Sequence, residues 1–109
     1  MRKRRSDRNH IIYKIENTCT GDFYIGVTVL RGKAYLGSIK LRLKQHISRA
    51  QTQNLQWALC ESIRNHGPQS FAIFALETVR GKRSAHSRET EIIKELQPRL
   101  NTTSVKTLN

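Results

Sequence analysis

The chain has 109 residues, 37% of them apolar, and its 20 Lys and Arg against 8 Asp and Glu leave a formal charge of +12. That length makes one domain with a modest core that needs no metal or disulfide staple. The charge favours a polyanionic partner such as a phosphate backbone, and no apolar run approaches the roughly 20 residues of a membrane span, so no membrane partner is expected.

The opening MRKRRSDR is basic but runs straight into HIIYKIEN without an apolar stretch, so it is not a secretory signal. Residues 1–8 read as a flexible basic arm. Residues 10–16 have a strand-like pattern, NTCTGD supplies turn residues, and residues 23–28 alternate again, which predicts a β-hairpin. Facing each other across it, Tyr13 and Tyr24 share one sheet face. Residues 29–37, with Arg31 and Lys33, read as a basic loop.

Residues 38–51 are predicted to be helical, with Ile39, Leu43, Ile47 and Ala50 in one stripe and Ser38 placed to cap. A second helix over 54–66 carries Leu55, Leu59 and Ile63 and stops at Gly67 and Pro68. Residues 70–79 hold two apolar rows, as for a central strand covered on both faces. A last helix spans 84–96, and Pro98 follows it. The order β-β-α-α-β-α implies an α/β (α+β) fold: a small three-stranded sheet flanked by helices. Cys19 and Cys60 lack CxxC spacing and read as reduced thiols, so an intracellular, cytoplasmic setting is expected.

Chemistry enters at three places. Ile92, Ile93 and Leu96 define an apolar stripe on the last helix, and Glu89 points along its centre. A carboxylate entering such a face needs a partner, either an arginine or a divalent cation, because unpaired burial of its charge is prohibitive. Arg42 and His46, at i and i+4, share a helix face beside the apolar stripe, where they reach the sheet rim without being buried. Arg42 can grip phosphate oxygens and His46 can bond a phosphate or move a proton. The alternative is a solvated basic face with Lys40, Lys44 and Arg49. Tyr13 and Tyr24 are packing residues by default, but a phenol beside cations becomes a usable base.

The paired strands, with IIY at 11–13 and YIG at 24–26, resemble the GIY-YIG nucleases, a family that includes phage homing endonucleases. The Arg-x-x-x-His helix, the NHG turn at 65–67, the RE pair at 88–89 and the asparagine after Leu100 follow in matching order. The resemblance places a nuclease domain over residues 9–103, with a polar tail over 104–109. It implies a Mg²⁺-dependent (or Mn²⁺-dependent) DNA endonuclease. Tyr13 would act on the attacking water, Tyr24 would line the same site, Arg42 would stabilise phosphoryl charge and Glu89 would bind the metal. His46 and Asn101 would support them, and Arg31, Lys33, Lys40, Lys44 and Arg49 would contact DNA.

Three features depart from the family pattern. Ile11 stands where the family name has glycine, residues 29–37 form an insertion, and Asn54 lies where some members place a histidine. A monomer is expected, with no separate DNA-recognition region in the chain. The competing reading is a non-catalytic basic nucleic-acid binder of ribosomal or architectural type, or a degenerate nuclease fold.

Overall fold

β1 (Asn9–Asn17) is the middle strand of a three-stranded antiparallel sheet, with β2 (Phe23–Val29) on one side and β3 (Phe71–Arg80) on the other. The computed structural model describes residues 8–30, 35–53 and 57–101. Residues 1–7 of the arm, the loop residues Arg31 and Lys33, Asn54, Leu55 and the tail 104–109 lie outside them.

The sequence of β1 explains its position. Ile11, Ile12, Tyr13 and Ile15 are all fully buried, so successive side chains on opposite faces are covered. Burial of each such side chain stabilises the fold by about 1.5–3 kcal/mol. The turn to β2 is closed by the Asn17 amide donating to Asp22 O at 2.9 Å and the Gly21 amide to Asn17 O at 2.8 Å. Gly21, with φ +83°, takes a backbone angle that other residues rarely adopt.

β3 is an edge strand, not the central one that its two apolar rows imply. Phe74 and Leu76 remain 45% and 40% exposed. The strand pairs with β1 alone, and that ladder carries a bulge: Ile12 pairs with Glu77 and Tyr13 with Ala75, so Leu76 is the extra residue. The odd-numbered row therefore changes face at the bulge. Ile73 and Ala75 pack beside Tyr13, whereas Val79 packs beside Ile12.

Two helices cover one face. α1 (Tyr35–Thr52) starts ahead of the predicted residue 38, so Ser38 lies buried inside it and does not cap it. α2 (Ala58–His66) follows, and a 3₁₀ turn at Pro68–Ser70 leads into β3. Ile39, Leu59 and Ile63 from these helices meet Ile11, Tyr13 and Ile15. The opposite face is covered by α3 (Lys82–Leu96), whose Ile92 meets Ile12 and Ile25. Leu96 is 48% exposed and does not continue that stripe; the line that enters the sheet runs Ala85, Glu89, Ile92. A final 3₁₀ turn at Arg99–Asn101 returns the chain to β2.

Candidate active site

Tyr13 lies opposite Gly26 in the β1–β2 register, and Tyr24 lies opposite Ile15. The two tyrosines are thus diagonal neighbours on one face, with ring centroids 6.3 Å apart. Gly26 makes this possible. A methyl group there would overlap the Tyr13 phenol and come within 2.8 Å of Tyr24 Cε1. Ile11, in place of the family glycine, sits fully buried in the core.

α1 lays two side chains on the Tyr13 oxygen. Arg42 Nε donates to it at 3.4 Å, and His46 Nε2 is 3.0 Å away in a buried contact. Contrary to the rim position expected for it, His46 is only 5% exposed. Burial, reinforced by the charges of Arg42 and Arg49, lowers its pKa to about 4. The imidazole is therefore neutral at pH 7, and in the tautomer that carries its proton on Nδ1 its Nε2 is an acceptor for the Tyr13 hydroxyl. The His46 ring also meets Tyr24 edge-on at 5.1 Å.

Burial raises the pKa of Tyr13 despite the opposing charge and hydrogen bond of Arg42. Tyr24 is raised as well, first by burial, then by its coupling to Tyr13, which disfavours two phenolates side by side, and by the Glu89 carboxylate. Both phenols hold their protons at neutral pH. The Glu89 carboxylate, which arrives on α3 from the other side of the sheet, adds to the rise at both phenols.

Glu89 has no arginine partner among the described residues, which removes one of its two predicted explanations. Arg88 forks onto Glu77 at 2.7 Å and onto Glu91 at 3.0 Å. The ion-pair partner of Glu89 is His86, whose Nδ1 is 3.5 Å from Oε1. Burial raises the carboxyl pKa of Glu89, and His86 offsets only part of that. Among the described residues no three His, Cys, Asp or Glu side chains form a metal cage. A single poorly neutralised carboxylate fits Mg²⁺ nonetheless, since that ion keeps several waters and takes one or two carboxylates with substrate phosphate.

The other candidates separate. Asn101 spends its amide on β2: Oδ1 accepts from the Ile25 amide and Nδ2 donates to Ile25 O, each at 2.8 Å. It thereby fixes the strand segment between Tyr24 and Gly26. Arg49 lies over the Trp57 ring, with Cζ 5.6 Å from the centroid. Lys40 and Lys44 are exposed and, two positions from Arg42, stand roughly 160° around the helix from it.

Two of the cavities that Arg42 lines matter for this centre. A cleft of about 310 Å³ at the end of β2 is lined by Arg42, Gln45, His10, Lys82 and His86 among others, with no carboxylate. A smaller one lies between Tyr24 and Trp57. Sequence reasoning passed over Lys82, His86 and Trp57. The signal was present: the first turn of α3 has no acid and carries Lys82 and Arg83 at the positive end of the helix dipole. Trp57 likewise takes the N-cap position of α2 without a side-chain cap.

Comparison with known proteins gives this arrangement its context. The model of the GIY-YIG catalytic domain matches residues 9–102. The solved catalytic domain of homing endonuclease I-TevI superposes with a TM-score of 0.63 at 24% identity, covering 90% of this chain and 99% of that one. A Glu-to-Ala form of the catalytic domain of intron endonuclease I-TevI gives 0.65 at 22% identity, covering 93% and 97%. Such identities establish a shared fold, and no curated protein matches the chain by sequence. With the family model spanning nearly the whole chain and the two tyrosines meeting over Gly26, the chain belongs to the GIY-YIG nuclease family.

Proposed function

We propose that this nuclease domain is a Mg²⁺-dependent DNA endonuclease that hydrolyses a phosphodiester with water, with Tyr13 as the base. The observation that carries the reading is the Tyr13 phenol, held between the Arg42 guanidinium and a neutral His46, with the carboxylate of Glu89 free of any arginine among the described residues.

The phenol oxygen accepts from Arg42 and donates to His46, so it can relay a proton. As water attacks phosphorus, its proton passes to the Tyr13 oxygen and the Tyr13 proton passes to His46 Nε2. The anionic phosphate close to His46 favours the imidazolium that results. The bond from phosphorus to the leaving oxygen breaks, and that oxygen takes a proton from solvent. Arg42, always charged, stabilises the negative charge that builds on the phosphoryl oxygens. Tyr24 packs against His46 and Tyr13 and holds the relay in place. Glu89 would hold Mg²⁺, which when bound neutralises the leaving oxygen and polarises the phosphate. Arg49, Lys82 and His86 supply contacts to flanking phosphates.

Cleavage of plain duplex, flap and junction DNA tests the reading. Glu89→Ala should bind DNA but fail to cut it, and Tyr13→Phe should lower the rate about 10²–10⁴-fold with little change in affinity. Unchanged cutting by Glu89→Ala removes the metal role. Equal losses of rate and affinity in Tyr13→Phe reduce that residue to packing.

A further inference from the structure

The cavity between Tyr24 and Trp57 takes no part in the chemistry above, yet its composition points to a ligand. At about 190 Å³ it is smaller than the ~300–1,000 Å³ of drug-sized sites and suits one flat ring system. Its inner wall is apolar, from Leu59, Cys60 and Leu100, while Arg42 and Arg49 add positive charge and no carboxylate lines it. Trp57 is 39% exposed and carries the Arg49 guanidinium over its ring. Tyr24 and His46 belong both to this cavity and to the catalytic cluster, so its occupant lies beside the reacting phosphate.

The local sequence departs from what stability alone favours. Trp57 takes the N-cap position of α2, with φ −76° and ψ 144°, and makes no side-chain cap hydrogen bond. Serine, threonine, aspartate or asparagine stabilises a helix there. A large aromatic ring that neither caps the helix nor enters the core breaks a local rule, as residues with a functional role do.

We infer that this cavity receives an unpaired nucleobase of the DNA substrate next to the cleaved phosphodiester, held against Trp57 and the Arg49 guanidinium that lies over its ring. The inference rests on the nuclease reading and narrows its substrate class. A base within a duplex must leave its stack to enter, and the penalty is least for one already bulged, mismatched or single-stranded. The preferred substrate is therefore DNA with an unpaired nucleotide at the cut. Base identity matters little. Asn101 uses its amide on Ile25, and stacking on an aromatic ring is open to every base.

Trp57 is the only tryptophan in the chain, so its fluorescence reports occupancy directly. The probes are short duplexes that differ in one position: an extra unpaired nucleotide, an abasic analogue in its place, or full pairing. Titrated in EDTA, the unpaired nucleotide should quench Trp57 whichever base it carries, and the other two duplexes should not. Trp57→Ala should weaken binding of the unpaired-base duplex about 5- to 150-fold and leave the paired duplex unchanged. Trp57→Phe should keep most of that preference. Trp57→Ser, which supplies a capping hydroxyl, should lose the preference without a lower Tm, separating stacking from helix stability.

Equal quenching by the abasic or paired duplex overturns the inference, as does an equal loss of affinity for all three. If the wild-type protein cuts none of these DNAs in Mg²⁺, the nuclease reading itself fails. Cutting of paired and unpaired substrates at one rate, without selective quenching, sinks only the base pocket.

Discussion

At Tyr13 burial and a neighbouring arginine pull in opposite directions, and burial wins: the phenol stays protonated while His46, 3.0 Å away, stays neutral. The pair is stable as phenol and imidazole and gives up its proton only when substrate alters the local charge. Its pH dependence follows. The folded pKa of His46, about 4, lies below its unfolded value, so the unfolded chain binds more protons in between. The corresponding stability is fully present above about pH 6.5 and is lost as pH falls toward 4, on the order of 3 kcal/mol in total. Thermal melts across that range should show wild type falling more steeply than His46→Gln. Glu89 has the opposite sign. Its folded pKa is raised, so the stability contributed by its protonated form is present below the unfolded value and lost as pH rises through the folded one. Glu89→Gln should therefore have a higher Tm than wild type at pH 7 without metal, while its cleavage is abolished.

At the scale of elements, β2 is the edge strand on which the site is assembled, covered along its rim by Asn101. Gly26 gives Tyr13 its place from below, α1 brings Arg42 and His46 from above, and Asn101 fixes the strand through Ile25. Gly26→Ala puts a methyl group into the space of both phenols. Overpacking of that kind should lower stability by about 1–3 kcal/mol. Displacing the reactive oxygen by 1 Å should lower kcat on the order of 10²-fold, measurable by single-turnover cleavage. The hairpin, the helices and their order were readable, because alternation, helical periodicity and the Gly67-Pro68 stop act locally. The place of β3 was not. Its two apolar rows imply a central strand, but β3 pairs with β1 alone and the bulge at Leu76 shifts its rows between faces, which only the pairing reveals.

For the whole molecule, positive charge is spread over the chain but concentrated usefully in the clefts that share Arg42. Lys82 lies in one of them, whereas Lys40 and Lys44 stand across α1 from Arg42. Lys82→Ala should reduce the slope of log affinity against log salt by about one unit, as expected for one lost phosphate contact. The double change Lys40→Ala with Lys44→Ala should alter that slope less. Binding isotherms over a range of KCl concentrations provide the measurement. No helix among the described residues is long and apolar enough to cross a membrane.

By itself the sequence determined the identity of the chemical groups: two tyrosines on a hairpin, an arginine and a histidine one helical turn apart, and a glutamate on an apolar stripe. Each depends on short-range spacing that a helix or strand converts directly into a shared face. Only the tertiary structure decided their protonation and their partners. His46 becomes buried when α1 lies down on Tyr13, and Arg88 is drawn to Glu77 across the β3–α3 contact, which leaves Glu89 without an arginine among the described residues. Desolvation and charge pairing depend on what distant segments bring within a few ångströms, and no local pattern encodes that.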